Sequence, residues 1–576
     1  MTIETLQPNM PPYLTPFERG DGNQTTTWAD CIAWYQSLAV DFPVVLHFFQ
    51  IGESDNGVPL HAGVITADGV FDRARLKADG RCVFFNNNGI HPGEPEGIDG
   101  CMALVRDFCT QPRRLAALGS TVFLFIPVYN VDGCLNRNTT SRVNQVGPES
   151  FGFRANGCNL DLNRDFVKCD SLAAQAFNRF FADWDPDVMV DTHTSNGADY
   201  QYTMTLIHTQ SDKLGTPLGA FLRDDMLPAI YQDMEGRGWP TSPYVHPLKD
   251  SPDDGITHML DVPRFSTGYA ALHHTIGFMP ESHMLKPFAD RYAAMRALVE
   301  SVLAFTVAHA QQIPALRHQA RQAAMRRGQW PVLWRIDASR STPTRFKGFK
   351  AVYSPSKLGN YPRLSYDRTQ PWEKDIACFE RCVEDLVVHA PRAYLVPRAW
   401  QAVLARLQWN GVRLRRLESD QHLQVRSYRI LSVVSRPQAY EGRTFHDTVE
   451  LAPEFIGYDA RVGDCVVDLQ QPRARYAVET LEPQAHDSFF RWGFFNSVLE
   501  KKERYSDYVF EDTALEMLQD EPELKAGFEQ WRTDHPALLG DQQAVLDFLF
   551  AAGRRHQEPG WMRYPVMGLM DRSALP

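Results

Sequence analysis

His91 and Glu94 stand three residues apart in the stretch Asn86-Asn87-Asn88-Gly89-Ile90-His91-Pro92-Gly93-Glu94-Pro95-Glu96-Gly97. An imidazole and a carboxylate are two of the ligand types that zinc takes, with a third expected from elsewhere in the chain. Pro92 and Pro95 keep both residues off a regular helix, because proline disfavours helical backbone in the residue before it. A tight turn can still bring the two side chains to one point. The spacing is common by chance, and this stretch alone reads as a surface turn with an incidental histidine. Two further segments change that reading. His193 lies in Asp191-Thr192-His193-Thr194-Ser195-Asn196-Gly197, and Glu281 lies in Pro280-Glu281-Ser282-His283. Three protein ligands and an open position for water is the arrangement of a catalytic zinc site. Bound zinc acidifies water and polarises a carbonyl. Hydrolysis then needs a group that takes the water proton and returns it to the leaving amine. Glu281 is assigned that role. Glu96 is the fallback, although at a helix entry it could simply complement the dipole. Asp191 reads equally as a partner of His193 or as a turn former, and His283 as a structural group.

Each of these residues needs an element to hold it. Arg81 to Phe85 is an apolar run of strand length, and Ile98, Met102, Leu104, Val105 and Phe108 recur at helical spacing after it. The His91 stretch is therefore predicted to leave a buried strand and open a helix. Thr121 to Val128 and Asp187 to Val190 are continuous apolar runs, as expected of strands covered on both faces. Thr275 to Met279 is a further strand leading to Glu281. Val44 to Ile51 and Leu60 to Thr66 read as paired strands around Asp55-Asn56-Gly57. Thr27 is read as a helix cap with Asp30 three residues on, and an amphipathic helix is expected over about 288 to 311. Strands alternating with helices indicate a layered α/β domain, in which ligands sit beyond the carboxyl ends of strands. His91 with Glu94, His193, and Glu281 all follow strand-like runs closely, and that agreement raises the metal reading above chance.

At 576 residues the chain is too long for one ordinary core. The organisation expected is a catalytic α/β domain over residues 1–312, a basic, solvated helical linker over 313–328, and a β-rich accessory region over 329–576. Net charge of −11 argues against nucleic acid or an anionic membrane as the main partner. No apolar run has the length of a membrane span, and no secretory signal is visible at the N-terminus. With ten scattered cysteines, these features point to a cytoplasmic location. Cys378 and Cys382, four apart, are read as reduced structural residues on a helix. Asn159-Leu160-Asp161-Leu162-Asn163-Arg164-Asp165-Phe166 adds an Asn-Arg pair, able to grip a carboxylate through parallel hydrogen bonds.

Together these pieces resemble the zinc carboxypeptidase family, the funnelin metallopeptidases. That family has His-x-x-Glu after a strand, an Asn-Arg pair, a later His after another strand, and a Glu at a fourth. All four occur here in that order, as HPGE, NLDLNRDF, DTHTSNG and MPESH. Asn130-Val131-Asp132-Gly133 resembles the family's Asn-Pro-Asp-Gly turn, with Val for Pro. The resemblance implies a mixed, mostly parallel eight-stranded sheet flanked by helices, with one zinc ion per chain held by His91, Glu94 and His193. It implies hydrolysis of the C-terminal amide bond of a peptide or peptide-like substrate, by metal-activated water with Glu281 as general base. Asn163 and Arg164 would hold the substrate's free carboxylate. An arginine should stabilise the oxyanion; Arg154 is taken, with Arg142 the alternative. A tyrosine should cover the substrate; Tyr269 is taken, with Tyr244 the alternative. Two other readings share much of this pattern: an N-acyl amino acid deacylase on the same scaffold, and a non-catalytic peptide-binding module. The sequence sets neither the terminal residue preference nor the oligomeric state.

Overall fold

The structure is a computed structural model and describes residues 13–571. The apolar runs form strands β1 (Leu46–Glu53), β2 (Pro59–Ile65), β3 (Val83–Asn87), β4 (Val122–Ile126), β5 (Val188–Asp191), β6 (His193–Ser195), β7 (Met204–His208), β8 (Thr241–Pro243), β9 (His246–Pro247), β10 (Ile256–Thr257) and β11 (Ile276–His283). Eight of them make one mixed sheet in the order β1-β2-β4-β3-β5-β11-β7-β8. The expected eight-stranded sheet is thus present, with the short β6 added beside β11 as a ninth strand. β4, β3, β5 and β11 run parallel to one another.

Alternation along the strands explains why both faces are covered. Phe84, Phe123 and Phe125 pack in one core with the helices Trp28–Asp41, Glu96–Thr110 and Phe288–Ala308. Their neighbours Phe85, Leu124 and Ile126 pack in the other core with Leu172–Trp184. The helix at Trp28 is capped as the sequence suggests, with the Asp30 N–H donating to Thr27 Oγ1 at 3.1 Å. Because β3, β5 and β11 are parallel, their carboxyl ends open on one edge. The His91 loop, His193 and Glu281 are delivered to that edge together. Among the described residues no single helix is long and apolar enough to cross a membrane.

The C-terminal half departs from its expected outline in three ways. First, the segment from Gln312 to Arg326 is a helix but not a solvated linker. Arg317 is 3% exposed and pairs with Asp185 and Asp187, and Arg321 also binds Asp185. Second, Cys378 and Cys382 lie on two strands of different sheets, Pro362–Phe379 and Cys382–His389, and not on a helix; β-branched and aromatic neighbours favour the strand. All ten cysteines are free. Third, the β-rich region also holds the helices Asp507–Asp520, Pro522–Asp534 and Gln542–Ala552 around a small core of their own. Its six-stranded sheet places Arg563–Leu569 between Ala393–Val396 and Gln421–Ser435. A long hairpin, Thr342–Pro355 with Pro362–Phe379, pairs back onto β10. Phe177 and Tyr269 share one core with Tyr476 and Trp492, so the change of texture near residue 329 does not divide two separate cores.

Candidate active site

After β3 the chain turns tightly, and the Glu94 N–H donates to the His91 carbonyl at 2.8 Å. The helix Glu96–Thr110 then starts against Thr192, the residue between β5 and β6. Gly97 permits that approach, since a Cβ there would overlap the Thr192 side chain. His91, Glu94 and His193 are each 3% exposed or less. His91 Nδ1 lies 3.3 Å from Glu94 Oε1, and His193 Nδ1 lies 3.2 Å from Glu94 Oε2. One donor atom from each of the three falls within 4.8 Å of the others. Carboxylates hold the opposite ring nitrogens: His91 Nε2–H donates to Asp161 at 2.9 Å, and His193 Nε2–H to Asp191 at 2.8 Å. Such partners fix the ring orientation and tautomer of a metal-bound histidine. Asp191 is thus a partner of His193 rather than a turn former alone.

The residues fit a metal ion on their own chemistry. His91 Nδ1 is buried and has no hydrogen-bond partner, although Glu94 is near. Two imidazole nitrogens and a carboxylate are a donor set suited to zinc. Burial alone would push the Glu94 carboxyl up, but His91, Arg142 and His193 together hold it well below its usual range. Arg142 Nη1 and the Thr194 N–H each donate to Glu94 at 2.8 Å.

Glu281 stands opposite His193 in the β11–β6 pairing. Burial pushes its carboxyl up to about 8; the negative Glu94 adds to this, against the pull of His193, Arg154 and Arg142. Glu96 cannot serve in its place. It is fully buried, accepts from Arg291 Nε at 2.5 Å and from Thr194 Oγ1 at 2.7 Å. His283 is a structural group, bonded to the Ala198 carbonyl at 2.8 Å.

The Asn-Arg pair lies on the short 3-10 turn Leu162–Arg164, which Asp161 caps. Asp161 is a hub. Its Oδ1 accepts from His91 Nε2 and from the Asn163 N–H, the latter at 2.8 Å, and its Oδ2 accepts from Arg154 Nε at 2.9 Å. Burial opposes ionisation there, but His91, Arg154 and Arg164 hold the carboxyl far below its usual range. Sequence reasoning passed over Asp161, although it stands two residues before Asn163 in the quoted motif. Arg164 stacks on Phe265, its guanidinium 4.4 Å from the ring centre.

These groups line one cavity of about 460 Å³. His91, Glu94, His193, Glu281, Arg142, Arg154, Asn163 and Arg164 all reach it. Its apolar lining includes Ile207, Met259, Phe265, Met279 and Met284. Tyr269 is absent from the lining, which corrects the expectation for the covering tyrosine. Its helix, Ser266–Leu272, is buried on every side, and its hydroxyl donates to Asn410 at 2.7 Å within a core of aromatic rings. Tyr244 lines the cavity instead. Arg142 is bound to Glu94 and to the Thr194 carbonyl, whereas the Arg154 side chain is 45% exposed and stands 3.6 Å from Glu94.

A mixed sheet with an imidazole-carboxylate-imidazole triad at its carboxyl edge is an arrangement that could hold a catalytic metal ion. The comparisons narrow this. Residues 31–201 match the family model for zinc carboxypeptidase. Carboxypeptidase 2 of Trichophyton tonsurans is 23% identical over 425 residues, spanning 70% of this chain and 72% of its own. Carboxypeptidase 2 of Trichophyton rubrum is 23% identical over 426 residues, with the same coverage. Among solved structures, carboxypeptidase A from Helicoverpa armigera aligns over 50% of this chain and 74% of its own, at 15% identity and a TM-score of 0.36. A metallo-carboxypeptidase from Pseudomonas aeruginosa aligns over 49% and 68%, at 14% identity and a TM-score of 0.37. Residues 31–201 thus match a zinc carboxypeptidase domain, and with these relatives the match supports a metallocarboxypeptidase hydrolase.

Proposed function

We propose that the protein is a zinc-dependent carboxypeptidase that releases an apolar C-terminal residue from a peptide or peptide-like substrate. The observation that carries this reading is the single cavity shared by the His91-Glu94-His193 triad, Glu281 and the Asn163-Arg164 pair. His91, Glu94 and His193 would hold the zinc ion. When bound, zinc supplies a Lewis acid for the scissile carbonyl and lowers the pKa of a water molecule. Arg164, with Asn163 beside it, receives the terminal carboxylate and fixes the peptide's direction. Glu281 takes a proton from the attacking water and returns it to the leaving nitrogen. It must be ionised to begin, and a divalent charge beside it favours that form. Arg154, held by Asp161 and reaching the cavity, donates to the negative oxygen that develops on the carbonyl.

The preference for an apolar end rests on β7 and β11. Ile207 and Met279 face each other across the two strands, and Met279 shares its face with Glu281 two residues on. The test is a panel of N-blocked peptides ending in Phe, Leu, Arg or Glu, one amidated peptide and one N-acyl amino acid, with zinc-loaded protein and mass-spectrometric readout. Release of Phe or Leu, and none from the amidated peptide, is the expected result. Turnover of the N-acyl amino acid alone would make it a deacylase, and no turnover of any member would leave a binding module.

A further inference from the structure

We propose that the C-terminal half positions the carboxylate clamp of the active site, through Asp487 and Arg264. The inference rests on the reading above in taking Arg164 as the group that meets the substrate carboxylate. Asp487 is fully buried in the C-terminal half. It accepts the backbone N–H of Arg264 at 2.8 Å, and its other oxygen lies 2.9 Å from Arg264 Nε as an ion-pair contact. Trp492 Nε1–H donates to Asp487 at 3.1 Å and braces it. The Arg264 guanidinium is stacked on rings from the same half, 4.5 Å from the centre of Phe445 and 5.3 Å from that of Trp492. Arg264 is therefore bound on its backbone, its charge and its flat face by residues about two hundred positions further along the chain.

The next two residues carry the consequence. Phe265 supplies the ring beneath Arg164, and the Ser266 N–H donates to Asn163 Oδ1 at 3.2 Å. Both halves of the clamp thus rest on three consecutive residues, the first of which is fastened from the other half. Between β10 and the helix Ser266–Leu272 this loop has no regular structure. The contacts to Asp487 do for this loop what strand pairing does for His193 and Glu281. Arg264 and Asp487 are positioning residues: they touch neither substrate nor metal, and they act through Phe265 and Asn163.

The test uses the full-length, zinc-loaded protein and two ligands measured by calorimetry. L-phenylalanine offers a carboxylate to the clamp, and acetohydroxamate binds metal without one. Asp487→Asn is expected to weaken L-phenylalanine about tenfold, the scale of one hydrogen bond to a charged group. Acetohydroxamate affinity should stay within about twofold. Unchanged L-phenylalanine binding, or a parallel loss for both ligands, overturns the proposal. Should Asp487→Asn fail to fold, Arg264→Lys keeps the charge while breaking the stacked, paired arrangement, and must give the same split. Arg164→Ala serves as the control: if it leaves L-phenylalanine binding unchanged, the clamp assignment falls and the proposal with it. If Arg164→Ala weakens binding and the Asp487 and Arg264 variants do not, only the positioning role falls.

Discussion

The two walls of the cavity are built in different ways. On the metal wall, strand pairing sets Glu281 on β11 against His193 on β6, and His91 and Glu94 follow β3 in a tight turn closed by its own backbone bond. On the clamp wall, Asn163, Arg164 and Phe265 stand on a 3-10 turn and an irregular loop. There the holding groups come from far along the chain. Glu441 accepts the Asp161 N–H at 2.8 Å, Asp487 fastens Arg264, and Arg406 and Arg443 bind Asp170. A sheet orients its own side chains, whereas a loop must borrow rigidity from whatever packs against it. The contrast shows how a β-rich addition could serve an active site without contributing a residue to its chemistry.

The largest test of this division is Glu281→Gln. It should reduce turnover by roughly 10²- to 10⁴-fold, the range for a positioned proton shuttle. Zinc content, read by emission spectrometry, should not change, and hydrolysis at the parent rate would remove Glu281 from the mechanism. Next comes Asp161→Asn, which strikes a residue that joins the two walls, bonded to both His91 and Asn163. Zinc affinity, measured by chelator competition, should fall about 10- to 100-fold, as for loss of a carboxylate behind a ligating histidine. An unaltered zinc affinity would mean that the metal wall stands without its neighbour. Smaller again is Met279→Lys. It should lower kcat/KM for a Phe-ending peptide about tenfold and raise it for a Glu-ending one, since pocket contacts of this size set such ratios. An unchanged ranking would place the terminal side chain elsewhere.

The last test concerns pH, and reads stability rather than activity. Asp99, behind the metal wall, has no guanidinium bond; burial lifts it to about 7 from an ordinary 3.8, although Thr25 and Thr26 donate to it. The unfolded chain thus releases this proton first, and the folded protein keeps it between those two values. Asp99 therefore costs stability as pH rises from about 4 to 7, by at most ~1.4 kcal/mol per unit, and the slope vanishes above. Asp170 behind the clamp runs the other way. Burial opposes its charge, but Arg443, Lys168 and Arg406 hold it below 3.8, so its contribution is lost only as pH falls below that value. Between pH 4 and 7, chemical denaturation should show Asp99→Asn losing less stability per pH unit, or gaining more, than the parent. Equal slopes would mean that Asp99 is ionised in the folded state.

What could be read from the sequence follows the same division. His91, Glu94, His193 and Glu281 each come within a few residues of an apolar run, so the periodicity that forms a strand also announces the ligand at its end. The Asn163-Arg164 pair was legible as chemistry but not as geometry. Tyr269 was misplaced because a tyrosine near a strand looks alike whether its ring fills a core or covers a substrate; the burial of Ser266–Leu272 on every side decides it. Tyr244 leaves no stronger local mark. Arg317 seemed a solvated charge because its partners, Asp185 and Asp187, lie about 130 residues away. Asp487 and Glu441 are harder still. Each makes a contact defined only once two distant segments have met, and no local pattern encodes it.

The strand Arg563–Leu569 fills the middle of the six-stranded sheet rather than its edge. During translation, everything up to that point emerges as two strand groups with a gap between them. The turn bearing Glu441 hangs from one of these groups. The metal wall is complete in the sequence at Glu281, whereas Glu441 and Asp487, which brace the clamp, come later, and the strand that closes the six-stranded sheet later still. A nascent chain is thus expected to expose His91, Glu94, His193 and Glu281 before the residues that brace its clamp have been made.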